Sequence, residues 1–294
     1  MKVRTGLGLG TLSATDDLGA VVDAAEAAGI DSLWFPEGVS TPQIDPTVAM
    51  AYAASRTRSV KLGSGLSVLP GRHPVLVAKQ LASLASLAPG RILPVFGVQP
   101  ARPAERAHFP VPEGGRGAVF DESLILLRLL LERPIVTFDG AFFAVHDTGI
   151  GPLPGRPLDL WVGGSGPAAL SRAGRLADGW LGSLLTPEET EAAVASIRDA
   201  AASAEREFDP EHFGMSLPVA LEGASGETLS VIRTRRPDAD PGELLPRGWA
   251  AARGLIERYV AAGVSKFVVR PATPPASWDR FLADFTRELG PLQT

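Results

Sequence analysis

At residues 163–166 the chain reads Gly-Gly-Ser-Gly, directly after the apolar run Leu158, Leu160, Trp161, Val162 and directly before a helix-like stretch opened by Pro167. Small residues at a strand-to-helix junction serve one of two ends. They permit a tight turn, or they let the backbone approach an anion. In the second case the N–H groups of Gly164, Ser165 and Gly166 and the Ser165 hydroxyl would converge on a phosphate, helped by the helix dipole. Gly163 clears the space behind them. No Gly-Lys-Ser/Thr follows, so this is not a Walker loop.

Other chemistry-bearing residues fall at comparable places. Glu37, in "PEGVSTPQ", follows an apolar run. It could bind a donor or move a proton, or be a solvated loop acid. "LGSGLSVLPGRHP" (62–74) sets Gly63, Ser64 and Gly65 at a strand end, and Gly97 ends another. Such bareness suits a flat group lying on backbone, or packing between barrel layers. Arg270 closes the last apolar run before Pro271. It could meet an anionic cofactor tail or substrate, or a local acid. "GLGLG" (6–10) misses dinucleotide-binding spacing and reads as strand packing. His73 before Pro74 reads as a turn-ordering residue. The four histidines show no zinc-ligand spacing, so no metal is expected.

Regular alternation must position these residues. Strand-like runs at 3–9, 32–35, 60–66, 91–97, 158–162, 179–183, 215–220 and 266–270 are each followed by at least one helix-like stretch. One junction recurs, "AAGIDSLWF" (27–35) and "AAGVSKFVV" (261–269), which is the helix-to-strand step of a helix-covered parallel sheet. Eight such steps in 294 residues predict a (β/α)₈ barrel, with an open doubly wound sheet as the alternative. Thr186-Pro187-Glu188-Glu189 has the form of a capping box. The whole chain, 1–294, reads as one barrel domain with two insertions. One is a hairpin at 133–145 around Asp139-Gly140. The other is a polar excursion at 222–247, read as a surface loop or a mobile lid.

Composition narrows the function. A net charge of −5 without long basic runs disfavours nucleic acid and anionic membranes as partners. No cysteine is present, which removes disulfides and thiolate chemistry and fits a cytoplasmic location. The chain lacks a signal-peptide pattern and a membrane-length apolar run. Three bare strand ends and one phosphate-type turn point to one ligand, a flat ring system with a phosphorylated tail.

Two stretches, "LGSGLSVLPGRHPVLVAKQLASLASLAPGR" (62–91) and "PLDLWVGGSGPAALSRAGRLADGWL" (157–181), resemble the bacterial-luciferase-like superfamily, most closely its coenzyme F420 (deazaflavin) oxidoreductases. "FDESLILLR" (120–128) and "DGAFF" (139–143) extend the likeness in the same order. The resemblance implies a barrel with the cofactor ring at its C-terminal mouth and the phosphate in the turn from Gly163 to Ala168. It implies a cis peptide at Gly65–Leu66, with Ser64, Gly65, Leu66 and Gly97 beside the ring. It makes Glu37 the acidic member of an acid–histidine pair, and a homodimer common. FMN is the alternative cofactor, in a monooxygenase, and a barrel that binds cofactor with little catalysis is a third reading. Gly38 replaces the pair's histidine, Pro100 stands about where sugar-phosphate-oxidising relatives have a glutamate, and Ala168 replaces a lysine of the phosphate turn. These departures favour hydride exchange with a less polar small molecule over sugar phosphate oxidation.

Overall fold

The computed structural model describes residues 1–12, 16–221 and 226–294. Its main sheet is parallel and closes on itself. The first strand, Arg4–Gly8, pairs with the second, Ser32–Phe35, on one side and the eighth, Lys266–Pro271, on the other. The circuit continues through the third strand, Lys61–Ser64 resumed at Ser67–Val68, and the fourth, Ile92–Leu93 resumed at Val95–Gly97. It then passes through Trp161–Gly163, Gly179–Ser183 and Phe213–Val219 back to the eighth. This is the eight-stranded α/β barrel the alternation predicts; the open sheet is excluded.

The two interruptions have local causes. Pro94 has no N–H to give the ladder. The third strand bulges at Gly65–Leu66, whose peptide is cis as the resemblance implies. The Ser64 hydroxyl spans the break, donating to the Val95 carbonyl at 3.1 Å and accepting from its N–H at 3.0 Å.

Alternate residues of each strand face the barrel axis. Trp34, Val95, Trp161, Leu181 and Val268 fill the interior, with Leu66 and Leu93 against them. Glycines make room for the indoles: a Cβ at Gly63 would overlap the Trp34 ring. At the strands' N-terminal end, Asp31 meets Lys266 at 3.2 Å, Lys61 at 3.6 Å and Arg4 at 3.7 Å. That end is closed by charge and the middle by tryptophan. Of the barrel's two ends, the described residues leave the C-terminal mouth for a ligand.

The helices start where the sequence allows. His73 accepts from the Val75 N–H and caps Pro74–Leu87, as its turn-ordering reading predicts. Thr186 and Glu189 form the expected capping box of Pro187–Ser203. The insertion near 133–145 is an antiparallel pair, Val136–Asp139 with Ala144–Thr148, shifted three residues along the chain from the expected span.

Within the excursion at 222–247, residues 222–225 lie outside the described residues. The rest is not a plain surface loop. Gly226–Arg235 is helical, Pro241–Leu244 makes a short helix, and Ile232, Leu244 and Leu245 bury against Ala220 and Ala272. The longer helix spans the mouth. Thr228 donates to the Ala272 carbonyl just past the eighth strand, at 3.0 Å. Arg235 donates to the Ala101 carbonyl beyond the fourth strand, at 3.1 Å. Arg236 binds both Glu189 oxygens, at 2.6 and 2.9 Å, and so ties the excursion to the capping box. No helix among the described residues is long and apolar enough to cross a membrane.

Candidate active site at the barrel mouth

The corner after the fifth strand is open. Gly164, Ser165, Gly166 and Ala168 are exposed, and a Cβ at Gly166 would meet nothing within 4 Å. Gly164 has φ +114°, a conformation costly for any residue with a Cβ. Gly166 caps helix Pro167–Leu176 without a side-chain bond, and Pro167 occupies the first turn. The N–H groups of Ser165, Gly166 and Ala168 therefore take no acceptor among the described residues. The Trp180 indole donates to the Gly164 carbonyl at 2.8 Å. Across that planar trans peptide, the Ser165 N–H points the opposite way. The chain has built a nest of unpaired donors at a helix N-terminus, which suits an anion. The arginine of the helix's second turn, Arg172, is bound to Asp121 and so is committed away from this corner.

Gly97 and Gly163 behave differently from expectation. Both are buried, and the space they clear is filled by Leu66. A Cβ at Gly163 would lie 2.5 Å from Leu66 Cδ2, and one at Gly97 would lie closer still to Cδ1. The bulge directs both Gly65 and Leu66 inward, and the half-buried leucine spreads over the two glycines. A flat ligand in the mouth would thus rest on the Leu66 side chain, not on bare backbone.

Glu37 and Ser64 also need correction. Trp34 faces the axis, so Pro36 does too, whereas Phe35 and Glu37 face the helices. Glu37 shares a cavity behind the sheet with Met50, Val77 and Leu81. Its side chain is 7% exposed and forms a two-pronged pair with Arg72, at 2.7 and 3.1 Å, while accepting from the Val68 N–H at 2.8 Å. Arg72 also binds the Val68 carbonyl and lies over the Phe109 ring. Glu37 thus anchors the segment that follows the bulge and has no oxygen free for a proton relay at the mouth. Ser64 likewise faces outward and is spent on Val95. Replacing Arg72 with Met should leave a buried carboxylate held by one N–H. We expect a loss of about 2–4 kcal/mol, discounted for the partial exposure of Arg72, in urea unfolding. A cost under about 0.5 kcal/mol would mean water replaces the arginine.

Arg270 does face the mouth. Val268 lies on the axis, and Arg270 is two residues further up the same side. No hydrogen bond or ion pair involves its guanidinium among the described residues, so of its two readings the local acid finds no support there. Sequence reading missed two participants, Arg72 and Glu105. Arg72 completes the Glu37 pair. Leu66 is expected beside the ring, and the structure adds that its side chain fills the space over Gly97 and Gly163. Glu105, 3% exposed, reaches back to the Ser40 N–H at 3.0 Å and joins the second and fourth loops. Glu105 sits in "PAERAH", which reads as surface; only its burial distinguishes it.

The fold and the site together define an α/β barrel whose C-terminal end carries a corner of unpaired backbone N–H groups beside the Leu66 side chain. The chain belongs to the luciferase-like monooxygenase family, whose model matches residues 2–253. It is 29% identical to an F420-dependent glucose-6-phosphate dehydrogenase of Beutenbergia cavernae, across 94% of this chain and 92% of that one. Among solved structures it resembles an F420-dependent secondary alcohol dehydrogenase in complex with an F420-acetone adduct, at TM-score 0.85 and 18% identity over the full length of both chains. It also resembles the FMN-bound oxygenating constituent of 3,6-diketocamphane monooxygenase from Pseudomonas putida, at TM-score 0.77 and 17% identity, covering 100% of this chain and 99% of that one.

Proposed function

We propose that this chain is an F420-dependent oxidoreductase, which exchanges hydride between the deazaflavin and a small organic substrate. The observation that carries the reading is the open corner of unpaired N–H groups at Ser165, Gly166 and Ala168, set two strands away from the Leu66 floor. The corner fits a phosphate and the floor fits one face of a flat ring. The F420-dependent relatives, aligned along nearly the whole chain, support the choice of cofactor.

The deazaflavin, when bound, supplies a two-electron hydride donor or acceptor. The protein's share is placement and dryness. Backbone amides at the corner would hold the phosphate and so help to place the ring. Leu66, held against Gly97 and Gly163, would bear one face of that ring. Glu37, Arg72 and Val68 hold that floor from behind, as positioning residues. The helix Gly226–Arg235 covers the mouth and limits water. Glu37 is turned away, and Gly38 and Pro100 carry no titratable group. Substrate orientation over the ring is therefore the main catalytic device.

The FMN reading rests on the same corner and on the FMN-bound structural relative. Parallel titrations with F420 and FMN, followed by the fluorescence of each cofactor, separate the two. We expect F420 to bind at least about ten-fold more tightly. Tight FMN binding with no F420 binding would overturn the proposal in favour of a flavin enzyme.

A further inference from the structure

Arg270 occupies an unusual position. Its neighbours on the inner wall are Pro218, opposite it on the seventh strand, and Gly8 on the first. One offers no polar group and the other no side chain. Gly8 is needed for the arginine to fit, since a Cβ there would lie 2.9 Å from Arg270 Cβ. The side chain is half-buried and has no carboxylate partner among the described residues. The second charge near it has the same sign: Arg235, on the helix that crosses the mouth. Burial, then the charge of Arg235, push the Arg270 guanidinium down to about 10, which leaves it cationic at neutral pH. A desolvated, unpaired cation costs stability, and a folded chain keeps one where a ligand completes it.

We propose that Arg270, aided by Arg235, receives an oxyanion, a carboxylate or phosphate, carried by the substrate. The inference rests on the cofactor reading and specifies its substrate class. The phosphate corner lies after the fifth strand and Arg270 on the eighth, three strands round the barrel. One anion cannot serve both. With the cofactor phosphate in the corner and the ring on Leu66, Arg270 faces the side where a substrate enters. The guanidinium fork suits two-pronged binding of either oxyanion. The substrate is then an anionic small molecule, which replaces the less polar one expected from Gly38 and Pro100.

The test uses inorganic phosphate as the probe on F420-saturated protein, with Arg270→Gln and Arg270→Lys beside the unmodified chain. Calorimetry should show phosphate binding to the unmodified holoprotein. The glutamine variant should weaken it by about ten-fold or more, with the lysine variant intermediate. F420 affinity should stay within about two-fold. The unfolding midpoint of unliganded Arg270→Gln should rise, because a buried charge without a partner has been removed; a merely structural arginine would lower it. Equal phosphate binding by Arg270→Gln overturns the proposal. So does a ten-fold loss of F420 affinity in that variant, which would assign Arg270 to the cofactor's own anionic tail. If the unmodified chain binds no F420, the cofactor reading fails separately. Phosphate is then titrated into unliganded Ser165→Asp protein, whose corner is blocked. Loss of binding on adding Arg270→Gln supports the oxyanion site, and no loss overturns it.

Discussion

Replacing Ser165 with Asp should abolish useful cofactor binding while making the protein slightly more stable. The two effects have opposite signs because the same electrostatics act on different partners. A carboxylate beside the start of helix Pro167–Leu176 interacts favourably with the helix dipole, by about 0.3–1 kcal/mol. The residue is exposed and its hydroxyl has no partner among the described residues, so nothing is lost by the exchange. Toward a phosphate, the new charge is repulsive at close range. At roughly 4 Å and an effective dielectric near 20 the repulsion is about 4 kcal/mol per pair of unit charges. Screening at an exposed corner leaves about 3 kcal/mol, or roughly a hundred-fold in F420 affinity. Fluorescence titration and thermal unfolding of one preparation give both numbers. Unchanged affinity would place the phosphate elsewhere; lost stability would mean the corner is structural.

How far the sequence reveals this site depends on what decides each residue's direction. The corner is legible because glycine and serine between an apolar run and a proline have few other uses. The barrel is legible because strand and helix periods alternate eight times. Glu37 is not, because Trp34 and Phe35 are both apolar and both buried. A strand covered on two faces has no polar side to set its phase, and a shift of one residue turns Glu37 from mouth to helix. The bulge at Gly65–Leu66 adds the same difficulty by sending two successive residues inward. Gly97 and Gly163 look like a bare platform until Leu66 is placed over them. The excursion at 226–247 hides its helix for another reason. Its surface is polar and rich in proline and arginine, and among the described residues few, Ile232, Leu244, Leu245 and Pro246, are buried. Arg270 is legible in type and place, but its lack of a partner follows only from knowing that Gly8 and Pro218 flank it.

Adding one methyl group at Gly163 should cost both stability and binding. The Cβ of Gly163→Ala would fall 2.5 Å from Leu66 Cδ2, the end of a flexible side chain whose other side faces the mouth. The strand backbone is held by its neighbours on both sides, so the leucine yields. It rises toward the ring site at a cost of about 1–3 kcal/mol, the usual range for overpacking. A ring resting on that leucine must shift while its phosphate stays fixed at the corner. We expect F420 affinity to fall by about ten-fold or more. Leu66→Ala alone removes the floor and should also weaken binding. Combined with Gly163→Ala, it removes the clash that the methyl creates. The double variant should therefore bind better than the sum of the single effects allows, by about 1 kcal/mol of coupling. Strict additivity in that cycle would mean that Leu66 does not carry the ring.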